Sequence, residues 1–227
     1  MKRLPLAMAC AALLLGGQVQ AATVAGRISF VTKRGQNPLP AETLIWLEPL
    51  GSGWTAKKPA ATYQMVTRNK SLAPHVLAVP AGSSVTFPNE DPISHNLFSL
   101  SQGNQFDLGL YRKGPGKVEK FDAPGVVSVY CNVHPQMSAV VHVMKSPFYA
   151  FADASGGYSI ADVPPGKYNL VAWNEQGGTT PPQPVEVSAA GAVSGNVAVT
   201  LDTRNFRQAT HMNKLGKPYQ APSSKDY

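Results

Sequence analysis

The chain has 227 residues, a formal net charge of +7 at pH 7, 20 glycines, 20 prolines and two cysteines. Its basic residues are scattered and form no stripe interleaved with aromatic side chains, which argues against nucleic-acid binding. Glycines and prolines separate short runs of β-branched and aromatic residues, and no segment has a long 3.6-residue period. This composition predicts an all-β chain of short strands.

The first residues predict export. Lys2 and Arg3 precede an apolar stretch, Leu4–Leu15, and the tripeptide Val19–Ala21 stands at the positions that a signal peptidase recognises. The apolar stretch is too short to cross a bilayer, and no later segment approaches 18 apolar residues. We therefore predict a signal peptide over residues 1–21, a mature protein without a membrane span, and a location in the periplasm.

Export would leave the mature protein with a single cysteine. Cleavage after residue 21 removes Cys10 and leaves Cys131 as the single thiol, so no intramolecular disulfide can form. A lone thiol in an oxidising compartment is a liability unless it is buried or coordinated. Cys131 is therefore the first candidate functional residue.

The strands predicted from these patterns, in chain order, are Val24–Thr32, Thr43–Leu47, His75–Val79, Ser84–Phe87, Gly125–Tyr130, Ala139–Met144, Tyr149–Ala152, Tyr158–Ile160, Tyr168–Trp173, Val185–Ser188 and Asn196–Leu201. Lys113–Lys117 lacks the context of a phosphate-binding loop and is predicted as a turn. In the polar tail we expect a short helix over Phe206–Leu215, and the remainder is expected to be mobile or to lie along the body.

Four possible metal ligands fall in two stretches. His95 follows a predicted strand and a turn rich in Pro, Asn and Asp, within VPAGSSVTFPNEDPISHNLFSL. Cys131, His134 and Met137 lie within VYCNVHPQMSAVV, where Pro135 stiffens the loop. Thiolate and thioether are soft ligands, and two histidines with one cysteine and a weak axial methionine are typical of blue-copper electron-transfer sites.

Other interpretations of these residues remain open. Cys131 could be a small buried core residue, with His134 and Met137 as ordinary loop residues. A structural zinc site would favour Cys, His and carboxylate ligands over methionine. A cysteine nucleophile would need an activating base or a helix N-terminus, and Cys131 is expected to end a strand, so we do not expect an enzyme. His142 is expected to face outward from its strand.

The dipeptide His95-Asn96 and the loop CNVHPQM resemble the cupredoxins, and the spacing C-x-x-H-P-x-M is most similar to the short loop of amicyanins. This resemblance implies a Greek-key β-sandwich that binds one type 1 copper. It implies His95, Cys131 and His134 as equatorial ligands and Met137 as the axial ligand, with Asn96 tying the two ligand loops together. In that family the second histidine, here His134, is the exposed one through which electrons leave.

A second resemblance covers the later part of the chain. DASGGYSIADVPPGKYNLVAW resembles the carboxypeptidase regulatory-like, immunoglobulin-like β-sandwich, and residues 26–49 are similar to the beginning of that module. We therefore expect a split sandwich, with residues 22–56 and 146–201 flanking a copper domain over 57–145, followed by a tail over 202–227. In the alternative, residues 22–56 extend the copper domain and the second sandwich follows it.

The whole arrangement also resembles exported bacterial proteins labelled methylamine utilization proteins. The resemblance implies a carrier of single electrons whose partner is a redox protein, such as a c-type cytochrome or a periplasmic dehydrogenase. The alternative is copper delivery, storage or sensing, or a module that binds a protein or a glycan, without electron relay.

Overall fold

The computed structural model describes residues 21–51, 62–207 and 211–219. The predicted signal peptide, apart from Ala21, lies outside these residues. Across the described ranges the chain forms strands and one three-residue 3-10 helix, Pro40–Glu42, with no α-helix. No helix in this part of the chain has both the length and the apolar character to cross a membrane. The predicted all-β fold class is confirmed.

The strands are β1 Ala22–Val31, β2 Leu44–Pro49, β3 Tyr63–Gln64, β4 Val66–Arg68, β5 Ser71–Ala73, β6 Val76–Pro80, β7 Ser83–Asn89, β8 Leu97–Ser99, β9 Phe106–Asp107, β10 Gly114–Phe121, β11 Gly125–Cys131, β12 Ser138–Met144, β13 Tyr149–Phe151, β14 Gly157–Val163, β15 Gly166–Asn174, β16 Gly178–Thr179, β17 Gln183–Val187, β18 Val193–Gly195 and β19 Ala198–Asp202. Every predicted strand coincides with an observed one. The expected turn over Lys113–Lys117 is wrong, because β10 begins at Gly114 and pairs with β7. β10 carries no apolar alternation that would have marked it.

The outer sandwich combines the first two strands with the last seven. One sheet has the order β14-β1-β19, and the other has the order β13-β2-β15-β17-β18 with β16 beside β15. The alternation predicted for β1 is observed, since Val24 and Ile28 are buried in a core shared with Leu47 and Leu170. Only glycine fits at position 26, because a Cβ there would lie 2.0 Å from the carbonyl oxygen of Val197.

The middle sandwich contains β3 to β12. Its sheets have the orders β10-β7-β4-β5, with β3 beside β7, and β6-β12-β11-β8-β9. Phe87, Phe121, Val129 and Val141 lie in its core, together with Cys131. The two sandwiches therefore form separate sheets and separate main cores, as the predicted fold class requires.

A third apolar cluster joins the sandwiches. Along β12, Val141 and Val143 face the middle core, whereas Val140 and Met144 belong to a cluster that includes the outer-sandwich residues Trp46 and Trp173. His142 does face away from the middle core, as predicted, but this face is covered rather than exposed. Its ring lies 5.2 Å from the ring of Trp46 and 5.7 Å from that of Trp173, measured between centroids.

The described residues of the tail do not form the predicted helix. Phe206, Arg207 and the described residues 211–219 have no helical hydrogen-bond pattern, and turns occur at residues 204–205 and 214–215. Residues 208–210 lie outside the described residues. The segment 211–219 lies along the body of the middle sandwich, where Tyr219 bonds to the last residue of β11, and Lys214 bonds to the next residue and to β9.

Candidate metal centre

Three donor side chains meet at one end of the middle sandwich. His95 lies between β7 and β8 and is fixed by two backbone hydrogen bonds with Tyr111, of 3.0 and 2.9 Å. Cys131 is the last residue of β11, paired with Leu97, and His134 lies in the loop that follows. The Cys131 Sγ atom is 3.7 Å from His95 Nδ1 and 3.7 Å from His134 Nδ1. The three ligand atoms lie within 4.8 Å of one another.

These separations fit a shared metal ion. A metal bonded to an imidazole nitrogen at about 2.0 Å and to a thiolate at about 2.3 Å, as in zinc sites, holds the two atoms roughly 3.5–3.8 Å apart at tetrahedral or trigonal angles. Both sulfur–nitrogen distances of 3.7 Å fall in that interval. The donor set of two imidazoles and a thiolate is also one that copper accepts.

The orientation of the His95 ring is determined by Asp91. The Nε2 atom lies 2.9 Å from Asp91 Oδ2, and both side chains are buried. A carboxylate can only accept, so Nε2 carries the proton, and the lone pair of neutral His95 is on Nδ1, which faces the sulfur. A ligand histidine held in this way by a carboxylate is typical of metal sites.

A tight turn stabilises the buried carboxylate. Asn69 and Lys70 connect β4 and β5 with positive φ angles of 53° and 54°, and their backbone N–H groups donate to Asp91 over 2.6 and 2.9 Å. Burial alone would raise the pKa of Asp91, but these two bonds and the His95 hydrogen bond outweigh it and lower that pKa below its ordinary value. Asp91 is therefore a charged acceptor with three donors.

The loop from Cys131 to Met137 is closed by its own backbone. The Cys131 N–H donates to the Met137 carbonyl over 3.2 Å, and the Met137 N–H donates to the His134 carbonyl over 3.0 Å. Met137 is 1% exposed and shares the apolar core with Cys131, while Pro135 is half-buried within the loop. This closed turn limits the positions that Cys131 and His134 can take.

The first ligand loop and the second are bonded through Asn96. Its backbone carbonyl accepts from the Asn132 N–H over 2.8 Å, and its side-chain amide donates to Asp107 Oδ1 over 2.6 Å. The connection between the loops therefore comes from the backbone of Asn96, and its side chain reaches β9 instead.

Exposure distinguishes the two histidines. His95 is fully buried, whereas His134 is half-buried beside Val133, which is 46% exposed. Burial, followed by the nearby His95 and Lys70, lowers the pKa of His134, so the ring is neutral and able to act as a ligand at neutral pH. His134 is the donor through which the centre reaches the surface.

The structure brings together three of the four predicted ligands, His95, Cys131 and His134, and places Met137 in the adjoining core. Sequence reasoning missed Asp91 and the turn at Asn69 and Lys70. A carboxylate four residues before a candidate ligand was a usable signal, whereas the turn that satisfies it is separated from it by 21 residues.

Comparison with protein-family models found no match, and comparison with curated proteins found none either. Several solved structures are similar to part of the chain. A purple cupredoxin from Nitrosopumilus maritimus is 24% identical over 36% of this chain and 99% of its own, with a TM-score of 0.32. Amicyanin from Paracoccus versutus (Thiobacillus versutus) is 18% identical over 43% of this chain and 97% of its own, with a TM-score of 0.34.

A copper-containing nitrite reductase from Thermus scotoductus SA-01 is 24% identical over 52% of this chain and 28% of its own, with a TM-score of 0.35. At such identities and TM-scores these similarities carry no argument about function. The functional conclusion therefore depends on the geometry and chemistry of the centre.

Proposed function

We propose that the chain is an exported, periplasmic carrier of single electrons that holds one type 1 copper. His95, Cys131 and His134 would hold the copper, with Met137 as a fourth, weaker ligand. The observation that carries this proposal is the position of the buried Cys131 Sγ, 3.7 Å from the Nδ1 atoms of both histidines. When bound, the copper supplies a centre that gains and loses one electron.

The surroundings of the donors support transfer of electrons over chemistry on a substrate. Asp91 fixes the proton of His95 on Nε2, and the turn from Cys131 to Met137 is closed by backbone hydrogen bonds. Cys131 and His95 are both 0% exposed, so no substrate reaches the sulfur. A nucleophilic cysteine must be accessible, whereas an electron carrier needs rigid donors that change little between two oxidation states.

The partner is proposed to be another redox protein, such as a c-type cytochrome or a periplasmic dehydrogenase, that docks over His134. Two observations support this choice of surface. His134 is the half-buried donor of the group, and Val133, its neighbour in the chain, is a large apolar side chain that is 46% exposed. An exposed apolar side chain beside a half-buried donor suits a transient contact without large desolvation of charge.

We further propose that the outer sandwich is one module into which the copper module is inserted. The pairing of β1 with β14 and β19, and of β2 with β13 and β15, supports this division over one in which residues 22–56 extend the copper domain. No strand of the middle sandwich pairs with any of these within the described residues.

The test is spectroscopic. Protein from residue 22 onward is titrated with Cu(II), and its visible and EPR spectra are compared with those of Cys131→Ser and His95→Asn. We expect an intense thiolate-to-copper band and a narrow copper hyperfine splitting, both lost in the two variants. His75→Asn is the matched control, since His75 bonds to Glu175 and is not one of the four proposed ligands, so this variant should retain the band.

A colourless titration, or equal copper binding by Cys131→Ser, would contradict the proposed site. Electron carriage is tested separately by a reversible potentiometric titration between Cu(I) and Cu(II). Copper that is instead lost readily to a competing chelator would favour delivery or storage.

A further inference from the structure

The tail segment 211–219, here called the strap, contacts the ligand loop through one side-chain hydroxyl and one backbone N–H. The Tyr219 hydroxyl donates to the Cys131 carbonyl over 2.8 Å. The Lys214 backbone N–H donates to the Asn132 side-chain oxygen over 3.0 Å. The strap is therefore bonded to the residue that carries the sulfur and to the next one along the chain.

The hydrogen bonds of Cys131 and Asn132 show which of their partners belong to the strap. The Cys131 N–H is taken by Met137 within the loop, and the Asn132 N–H by Asn96 of the other ligand loop. Two further acceptors, the Cys131 carbonyl and the Asn132 side-chain oxygen, both accept from the strap. Without the strap, each of these acceptors would lose that hydrogen bond.

Two further contacts extend the strap over the same surface. The His211 ring stacks on the Tyr130 ring, with centroids 4.1 Å apart and planes inclined by 15°. The Lys214 ammonium group lies 2.6 Å from Asp107 Oδ2, and the other oxygen of Asp107 accepts from Asn96. The strap thus reaches the residue before Cys131 and, through Asp107, the residue after His95.

We propose that Tyr219 is a positioning residue for the centre, and that the strap holds the Cys131 backbone in the orientation that directs its sulfur towards both histidines. This inference rests on the proposed function, because the sulfur has a defined task only as a metal ligand. Tyr219 does not contact the donor atoms and acts through the Cys131 carbonyl.

The test uses Tyr219→Phe, which removes the hydroxyl and keeps the ring. In the metal-free protein from residue 22 onward, the rate at which a small alkylating reagent modifies Cys131 reports local opening, because this thiol is fully buried. Loss of one hydrogen bond should raise that rate roughly fivefold. Adding Lys214→Met, which removes a partly exposed ion pair, should raise it by about a further factor of two.

Tyr158→Phe is the matched control. The Tyr158 hydroxyl also donates to a backbone carbonyl, that of Val197, over 2.6 Å, but within the outer sandwich. Its loss should leave the rate of Cys131 modification unchanged. In the copper-loaded protein, Tyr219→Phe should speed copper release to a chelator by a similar factor and broaden the copper hyperfine lines, whereas Tyr158→Phe should do neither.

The outcomes separate the two proposals. Equal modification rates in Tyr219→Phe, Tyr158→Phe and the parent protein would overturn the positioning role, even if the parent binds blue copper. Faster modification in Tyr219→Phe alone, in a protein that gives no blue copper spectrum, would support the strap's hold on the loop and refute the copper proposal. Faster modification and faster copper release together support both.

Discussion

Replacing Asp91 with asparagine changes the charge of one buried group and leaves its shape intact. In the protein the two carboxylate oxygens accept three hydrogen bonds, from the N–H groups of Asn69 and Lys70 and from His95 Nε2. An asparagine has one accepting oxygen and one donating amide group. The Asn69 N–H bonds to one oxygen and the Lys70 N–H to the other, so one of these backbone donors must face the amide group. Where the amide group takes the position of Oδ2, His95 Nε2 faces it too, unless the ring moves its proton from Nε2 to Nδ1.

Either response has a calculable cost. A buried donor without an acceptor costs about 1–3 kcal/mol, and a bond to a charged acceptor exceeds a neutral one, so we expect Asp91→Asn to lower the free energy of unfolding by about 2–4 kcal/mol. If the proton moves to His95 Nδ1, it occupies the atom that lies 3.7 Å from the Cys131 sulfur. Loss of such a supporting carboxylate lowers metal affinity roughly 10- to 100-fold.

Two measurements check this reasoning. Chemical denaturation of the metal-free protein gives the change in stability, and competition with a copper chelator gives the change in affinity. Glu90→Gln is the matched control, because Glu90 is the adjacent carboxylate but forms an exposed ion pair with Arg68 and should change stability by less than about 1 kcal/mol. If Asp91→Asn and Glu90→Gln have the same small effect on both quantities, Asp91 does not orient His95.

Three further predictions concern stability. Gly116→Ala should lower the free energy of unfolding, measured by denaturation, by more than about 2 kcal/mol, because at φ +82° its Cβ would lie 1.9 Å from a carbonyl oxygen of β7. Gly35→Ala is the control: it has a similar φ of +84° but open space around it, so it should cost about 1 kcal/mol or less. Burial lowers the pKa of His142 from 6.5 to about 4, so unfolding takes up a proton at pH values between these two. The free energy of unfolding should therefore fall by about 3 kcal/mol as the pH drops from 7 to below 4. His142→Leu should remove this pH dependence. The hydrogen bond to Glu175 raises the pKa of His75. The stabilisation from this pair is therefore present below pH 6.5 and is lost as the pH rises through the folded-state pKa. Glu175→Gln should abolish this dependence when stability is titrated against pH.

Much of the fold follows from local patterns that the sequence displays. The alternation in β1, with Val24 and Ile28 on one face, places this strand on a half-buried sheet, and the structure agrees. β10 was not predicted because its residues, GPGKVEKF, have only one buried member, Phe121, and it is held by pairing with β7. Pairing between two strands depends on both segments, so the sequence of one strand alone does not reveal it.

His142 illustrates a second limit. Alternation along β12 correctly assigns it to the face opposite Val141, but alternation cannot tell whether that face meets water or another sheet. The tryptophans that cover it, Trp46 and Trp173, lie on strands of the outer sandwich far away in the chain. The expectation of an outward-facing histidine was therefore right about direction and silent about what lies there.

The meeting of His95, Cys131 and His134 could be predicted because residue types and spacing alone indicate a set of metal donors. Cys131, His134 and Met137 fall within seven residues, and a soft thiolate beside imidazoles selects few metals. The groups that support the donors could not be predicted in the same way. Asn69, Lys70 and Tyr219 act through backbone N–H groups or through a hydroxyl on a backbone carbonyl, which residue identity does not specify.

The connection between the sandwiches explains how a middle module can sit within an outer one. β2 and β13 are adjacent and antiparallel, with Trp46 opposite Tyr149 and Leu44 opposite Phe151, so the chain leaves and re-enters the outer sheet as a hairpin would. The middle sandwich occupies the place of the hairpin loop, and the entropy of closing a loop rises only slowly with its length. Such an insertion would leave the module free to turn if the outward face of β12 were polar. That face instead presents Val140 and Met144 to the outer sandwich, so separating the two sandwiches would expose apolar surface. β12 pairs with β11, the strand that ends at Cys131, and the apolar contact therefore fixes the orientation of this sheet relative to the outer sandwich.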